Sequence, residues 1–176
     1  MLKNIALFMI ARAEKRLGVT LDYTRIIART NFGLLMRYNR IFGFLDPVRH
    51  VPALAYHTAR LRGAAAADCG TCVQAERNLA RTAGLSDDQI TAILAARYDS
   101  LPPEIAAVAR LSDATVLARV DAPDARDAVR MAYGDAGLIE LSFAMNGAAL
   151  LPGIKRGMGY AVACDLDVAR SVSTDG

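Results

Sequence analysis

The sequence has no tryptophan, only two histidines and only three cysteines in 176 residues, and aromatic residues make up 6% of it. A small, odd number of cysteines is unlike the disulfide framework of a secreted protein, so we expect a reducing, cytoplasmic setting. The excess of positive over negative charge is also small, with 21 basic and 18 acidic residues. The formal net charge is +3, and no basic cluster is interleaved with aromatic residues. We therefore expect no nucleic-acid partner.

The N-terminal segment contains a hydrophobic run, but this run is short. The apolar run at 5–11 is too short to span a bilayer, and no signal-peptide cleavage site follows it. We expect this first helix to dock on the core or on another subunit, since apolar helix faces are usually buried. Contact with a membrane surface is the less favoured alternative.

No segment shows sustained alternation of polar and apolar residues, whereas helical patterns recur along the chain. The sequence therefore predicts an all-α fold, a single helical domain of about eight helices. Gly18 and Gly84 are expected to end helices, and Ser86 begins a capping box that predicts a helix to about Arg97. Breaks are expected at Gly134 and at 152–153, with a final helix over 154–168.

The most informative motif is a cysteine pair, Cys69 and Cys72, which opens a strongly helical segment. Asp68 is a good N-cap, which predicts Cys69 at the first helical position and Cys72 one turn later. The free N–H groups at a helix start favour a thiolate, and this spacing allows a small disulfide. Glu76 follows Cys72 by four residues and shares its face of the helix. The motif therefore indicates thiol redox chemistry with a carboxylate nearby.

The preceding segment, 51–67, also has a helical pattern with apolar residues on one side, and it carries His57. If the two helices form a hairpin that turns at 66–69, His57 comes level with Glu76. An imidazole and a carboxylate would then meet beside the sulfurs of Cys69 and Cys72. A proton relay to a thiol requires this grouping.

These residues resemble the alkylhydroperoxidase D-like, or carboxymuconolactone decarboxylase-like, family of all-helical proteins. Redox-active members carry a glutamate, twelve residues later the first cysteine of the pair, and a histidine four residues after the second cysteine. This chain keeps the spacing with the two partners exchanged, His57 in the place of the glutamate and Glu76 in the place of the histidine. The resemblance is clearest over 57–94 and weaker over 137–160, where Asn146 is in a familiar polar position.

The resemblance implies a family helical bundle over 47–168, preceded by a helical extension at 1–46. It also implies that Cys72 reacts with a hydroperoxide or disulfide substrate and that Cys69 resolves the product into a disulfide. An external dithiol would then reduce that disulfide. A homo-oligomer is expected, and no cofactor and no bound metal is implied.

Several alternatives stand beside this hypothesis of a thiol-dependent peroxidase or disulfide oxidoreductase. The chain could be a non-catalytic, redox-sensitive interaction protein on the same scaffold, or the cysteine pair could be inert. Zinc held by Cys69, Cys72, His57 and Glu76 is less favoured, because structural zinc sites usually use more thiolates or imidazoles. The decarboxylase or lactone chemistry of cysteine-lacking relatives is least favoured. We expect Cys164 to be a buried structural residue and the aromatic stretch 31–44 to pack in the core.

Overall fold

The computed structural model describes residues 2–45 and 50–160, and these residues form helices and turns without a strand. The prediction of an all-α, single-domain fold is confirmed. A short 3-10 turn lies at Tyr98–Ser100 and a π-helical turn at Asp113–Ala118. The α-helices, in chain order, are α1 (Leu2–Leu17), α2 (Asp22–Thr30), α3 (Phe32–Leu45), α4 (Ala53–Ala66), α5 (Gly70–Thr82), α6 (Asp87–Leu94), α7 (Pro103–Ser112) and α8 (Pro123–Gly157).

Cys164 and the part of the last expected helix beyond residue 160 lie outside the described residues.

Helix α4 is the centre of the molecule, with every residue from 55 to 64 buried. It packs against α5, α6, α7 and α8. The sequence pattern suggested that only one, apolar side of this helix is buried, whereas the fold buries it on all sides. Its polar side chains are therefore compensated inside the fold. Arg62, for example, binds Asp113 through Nε at 2.7 Å and the carbonyl oxygens of Ile93 and Leu94 at 3.1 Å. Surrounding α4 with helices makes its charged residues part of the core.

Local sequence signals set several helix ends as expected. Ser86 and Gln89 form the predicted capping box at the start of α6, and Gly84 adopts a φ of +96° just after α5. Helix α6 ends at Leu94 instead of near Arg97, because Ala96 is left-handed with a φ of +55°. The Arg97 N–H then binds the Ala92 carbonyl at 2.9 Å, a closing turn that satisfies the helix terminus.

Helix α8 differs from the prediction at its C-terminal part. The expected break at Gly134 is present as non-helical backbone, but the expected break at 152–153 is wrong, since the helix continues to Gly157. Proline inside a helix removes one hydrogen bond and strains the preceding turn. Here Pro152 and Lys155 are both buried, and packing of this turn offsets that loss. The uninterrupted helix carries Lys155 to the interior of the protein.

Helices α1, α2 and α3 share a small hydrophobic cluster formed by Ala6, Ile10, Ala28 and Leu35. They contact the rest of the fold at α5 and α8. The Asn78 amide of α5 donates to the Leu17 carbonyl at 2.7 Å, beside Gly18, whose φ is +65°. A Cβ at position 18 would lie 2.5 Å from Asn78 Nδ2, so glycine is required on both grounds. The segment expected to be an extension thus lies against the helix that begins with the cysteine pair.

One helix of the described part of the chain, α8, is long and apolar enough to cross a membrane by length and composition alone, with a mean hydropathy of 1.3 over its most apolar stretch. Within the fold, 44% of that stretch is buried, and α8 packs along the central helix α4.

Candidate functional site: a buried thiol pair

The hairpin between α4 and α5 is present as predicted and turns at 67–69. The N-cap of α5 is Cys69 and not Asp68, so the predicted cap was wrong by one residue. Asp68 instead occupies the turn with a left-handed φ of +47°. Arg156 of α8 holds this turn by donating to the carbonyl oxygens of Ala67 and Asp68 at 2.8 and 3.0 Å.

The structure brings the two sulfurs together, with Sγ of Cys69 and Sγ of Cys72 2.7 Å apart and both cysteines free. The Cys72 N–H donates to the Cys69 carbonyl at 2.9 Å, which closes the first turn of α5. Their exposure differs, because Cys69 is fully buried whereas Cys72 is partly exposed. A reagent from solvent can therefore approach Cys72, and Cys69 is reached only through it.

A buried lysine that the sequence analysis did not single out completes the surroundings of the sulfurs. Lys155 Nζ lies 3.7 Å from Cys69 Sγ, and only 5% of this residue is exposed. Its ammonium also lies 5.4 Å from the centroid of the Tyr23 ring. The sequence carries one signal of a special role for Lys155. It is one of only three lysines in the chain, and it lies three residues after Pro152 in an apolar segment.

The predicted pairing of Glu76 with His57 is replaced by a pairing with Arg60. The Glu76 carboxylate accepts from Arg60 Nη2 at 2.6 Å and from Arg60 Nε at 2.8 Å, and both residues are buried. Arg60 follows His57 by three residues, almost one turn of α4. The observed register of the hairpin places Arg60, and not His57, level with Glu76. The carboxylate beside the thiols is therefore held by a guanidinium.

His57 lies inside the fold, 8% exposed, with its ring edge-on to that of Tyr56 at 5.3 Å between centroids. Between described residues, no hydrogen bond joins its ring to Glu76 or to either sulfur of the pair. Of the four site residues expected from sequence, Cys69 and Cys72 are in contact, and Glu76 and His57 belong to the adjoining core.

Burial raises the pKa of Cys72, and the hydrogen bond to Cys69 raises it further. The Lys155 ammonium lowers this pKa, whereas negative charge on Cys69 or Glu76 raises it. The burial effect is the largest because the low-dielectric interior disfavours a thiolate. Lys155 is thus the one residue among these neighbours that favours the charged sulfur.

Two tyrosines from the N-terminal helices adjoin the thiols. Tyr23 of α2 and Tyr38 of α3 are hydrogen-bonded through their hydroxyl groups, with ring centroids 5.7 Å apart in an edge arrangement. Burial raises the pKa of Tyr38, and Tyr23 and the charge on Cys72 raise it further. Part of the stretch expected to pack in the core therefore also lies beside the site.

An open cleft of about 910 Å³ lies beside the turn that precedes Cys69 and is lined by Asp68, Arg119, Phe143, Asn146 and Arg156, among others. Asn146, expected in a polar position, is in this cleft, and its amide donates to the Ser142 carbonyl at 2.9 Å. The cysteines are not among the lining residues. The cleft therefore adjoins the cysteine turn from the α8 side.

Within residues 2–45 and 50–160, no group of three or more histidine, cysteine, aspartate or glutamate side chains is gathered in a way that could hold a metal ion. The set of four zinc ligands considered from the sequence is not assembled, because Glu76 is bound to Arg60. The two sulfurs are thus neighbours of a cation and of each other.

The fold and the site define an all-α protein with a semi-buried dithiol at the start of a helix, flanked by a buried lysine. Comparison with protein-family models, with curated proteins and with solved structures found no match to this chain. Its function is therefore argued from the dithiol itself.

Proposed function

We propose that this chain is a thiol oxidoreductase that uses Cys69 and Cys72 as a dithiol and disulfide couple. The observation that carries the proposal is the contact between two free sulfurs of unequal exposure, 2.7 Å apart. A partly exposed thiol can react with an external oxidant, and a buried neighbour in contact with it can complete the disulfide before another molecule intervenes.

The reaction with a hydroperoxide begins at Cys72. Its thiolate attacks the terminal oxygen of ROOH, the O–O bond breaks, and the products are a sulfenic acid and, after uptake of a proton, ROH. Cys69 then attacks the Cys72 sulfur, the S–O bond breaks, and hydroxide leaves and is protonated to water. An external dithiol reduces the resulting disulfide and is itself oxidised. With a disulfide substrate RSSR, the Cys72 thiolate attacks one sulfur, the substrate S–S bond breaks, and the first RS⁻ leaves. Cys69 then attacks Cys72 Sγ of the mixed disulfide and releases the second RS⁻, and both thiolates are protonated.

The charges around the pair support slow rather than fast peroxide chemistry at neutral pH. Burial raises the pKa of Cys72 despite the opposite effect of Lys155, so the thiolate fraction is small near pH 7. The helix N-terminus offsets part of this, because the N–H groups at the start of α5 favour negative charge. Thiol–disulfide exchange at Cys72 depends on the same thiolate, so the rate of either reaction should rise with pH.

The resemblance to the alkylhydroperoxidase D-like family belongs to the same proposal and is supported by the cysteine spacing and the all-helical fold. The proposal does not include a proton relay between His57 and Glu76, the exchanged positions, because Glu76 is paired with Arg60. A cytoplasmic, reducing location and assembly into a homo-oligomer are further parts of the proposal. Exposed apolar residues along one face of α8, Ile139, Phe143 and Leu150, support the latter.

Substitution of each cysteine separately tests the proposed function. Cys72→Ser should reduce the consumption of cumene hydroperoxide, with dithiothreitol as reductant, to the uncatalysed background, because the attacking sulfur is gone. In the absence of dithiothreitol, Cys69→Ser should consume about one equivalent of peroxide per chain and retain the sulfenic acid on Cys72, because the buried partner thiol that resolves it is gone. Peroxide loss and sulfenic acid trapping by mass spectrometry measure both results.

Cys164→Ser is the matched control, since it removes the third thiol, and it should retain wild-type turnover. A wild-type protein that consumes neither the peroxide nor a model disulfide such as oxidised glutathione between pH 7 and pH 9 would contradict the proposal.

The second candidate is a non-catalytic, redox-sensitive interaction protein. It is favoured by the exposed apolar residues Ile5, Phe8 and Met9 of α1, of which Phe8 is 70% exposed, and by the contact of the N-terminal helices with the thiol site. Oxidation of the pair would then change self-association without turnover. Gel filtration of reduced and oxidised protein separates the two candidates, because only this one requires a shift in elution in the absence of substrate consumption.

A further inference from the structure

Among residues 2–45 and 50–160, no carboxylate forms an ion pair with the buried ammonium of Lys155. Only 5% of the residue is exposed. A buried ammonium is costly unless a negative charge or several hydrogen bonds compensate it. The contacts of Lys155 are the Tyr23 ring and Cys69 Sγ, the latter at 3.7 Å. The ionisable sulfur that the ammonium contacts directly is Cys69 Sγ, and Cys72 is close enough for the same charge to lower its pKa.

The unequal exposure of the two cysteines determines which sulfur carries charge during the redox cycle. An external thiolate can reach the partly exposed Cys72 but not the fully buried Cys69. Reduction of the disulfide therefore proceeds by attack on Cys72 Sγ, and the electron pair of the broken S–S bond goes to Cys69 Sγ. Cys69 is the leaving group, and it departs as a thiolate beside Lys155.

We propose that Lys155 is the counter-ion of the Cys69 thiolate and thereby sets the redox equilibrium of the pair. This inference rests on the proposed function, in which the pair cycles between dithiol and disulfide. In reduction, the first reductant thiolate forms a mixed disulfide with Cys72 and releases Cys69 as the thiolate. A second reductant thiol then displaces Cys72, and the reductant leaves as its own disulfide.

The same charge acts in the oxidising direction. The Cys69 thiolate held beside Lys155 attacks Cys72 Sγ of the sulfenic acid, and hydroxide leaves and takes up a proton from solvent. Lys155 is not consumed in either direction. It stabilises the state in which Cys69 bears the electron pair, and that state belongs to the reduced side of the couple.

A purely structural role for Lys155 has a different signature. Its ammonium lies over the Tyr23 ring, a contact that attaches α2 to α8. Loss of that contact would alter stability but would not selectively change the thiol–disulfide equilibrium. Tyr23→Leu removes the aromatic partner and leaves the ammonium beside the sulfur, so it is the matched control for Lys155→Met.

The experiment is a redox titration of the full-length chain in buffers of reduced and oxidised dithiothreitol, with the disulfide fraction measured by alkylation and mass spectrometry. Lys155→Met should shift the equilibrium constant about tenfold toward the disulfide, which is about 30 mV for this two-electron couple. Lys155→Arg should restore most of the wild-type value because it keeps the positive charge. Tyr23→Leu should stay within about twofold of wild type, since its effect on charge is small.

An unchanged equilibrium in folded Lys155→Met would overturn the inference, and so would an equal shift in Tyr23→Leu. Circular dichroism establishes that each variant is folded, and Lys155→Gln, which also removes the positive charge, replaces the methionine variant in the comparison if that variant does not fold. The titration needs no turnover of peroxide or disulfide substrate. If Lys155→Met shifts the equilibrium but the wild type turns over neither substrate, the role of Lys155 is supported and the proposed function is contradicted. If the wild type turns over substrate but Lys155→Met shows no shift, the proposed function is supported and the role of Lys155 is contradicted.

Discussion

The Arg60 guanidinium determines the chemical role of Glu76. Both Glu76 oxygens accept from this one group in a buried bidentate pair, and Arg60 also donates to the Tyr56 hydroxyl at 3.2 Å. A carboxylate held in this way is an ion-pair partner, with both of its oxygens engaged by the guanidinium. Glu76 therefore serves stability, and its negative charge acts on the thiols only through space by raising the pKa of Cys72.

Glu76→Gln should destabilise the protein by about 3 kcal/mol, because removal of one partner leaves the other charge buried without compensation. Urea denaturation followed by circular dichroism measures the loss. The same variant should make Cys72 react faster with iodoacetamide at pH 8, since one of the charges that raise its pKa is gone.

The double variant with Arg60→Met and Glu76→Leu is the control for this pair, and it should be more stable than Glu76→Gln because both charges are removed together. A Glu76→Gln protein as stable as wild type would show that the pair contributes nothing, contrary to its burial.

Helix α8 is the element that joins the site to the core. It continues through Pro152 and so brings Lys155 to the sulfurs and Arg156 to the turn before them. Its other close contact is with α4 at Gly63, where the two backbones approach each other. A Cβ at position 63 would lie 2.2 Å from the Met145 carbonyl oxygen. The distance between α4 and α8 is therefore fixed by the absence of a side chain at Gly63.

Gly63→Ala should lower the free energy of unfolding by roughly 1–3 kcal/mol, because the added methyl group forces two packed backbones apart. Thermal denaturation measures this effect. Gly153→Ala on α8 is the matched control. No atom lies within 4 Å of its Cβ position, and it should be neutral or stabilising by up to about 1 kcal/mol. Equal stability of the two variants would contradict the close approach of the helices.

At the scale of the whole molecule, the N-terminal helices and the core enclose the thiol pair together. Tyr38 and Tyr23 approach it from α3 and α2, and Lys155 from α8. This enclosure makes burial the largest influence on the pKa of Cys72. Ionisation of Cys72 is therefore linked to global stability, because the folded protein resists forming a thiolate that the unfolded chain forms readily.

The reduced protein should lose stability as the pH rises above about 8.5, the pKa of an unperturbed cysteine. Below that pH both states hold the proton, and above it the unfolded state releases the proton while folded Cys72 retains it. The free energy of unfolding should fall by up to about 1.4 kcal/mol per pH unit from this group.

Urea unfolding of reduced wild type and reduced Cys72→Ala between pH 7 and pH 9.5 isolates this effect. The difference in slope between the two proteins is the contribution of Cys72, since Cys69, Lys155, Glu76 and the tyrosines are common to both. Parallel curves would show that Cys72 ionises equally in the folded and unfolded states.

The sequence by itself determined the features that depend on neighbours in the chain. Helical periodicity without strand alternation determined the all-α fold, and Gly18, Gly84, Ser86 and Gly134 set helix boundaries through their own backbone or side-chain preferences. The proximity of Cys69 and Cys72 was also local, since residues three apart at a helix start are adjacent in any context.

The tertiary structure alone decided which groups surround the sulfurs. The register between α4 and α5 brings Arg60, and not His57, level with Glu76. Lys155 comes from 86 positions along the chain, and the continuation of α8 through Pro152 depends on burial that no local pattern encodes. Register between helices and the burial of charge are set by the packing of the whole chain, and these two quantities determine the electrostatic environment of the dithiol.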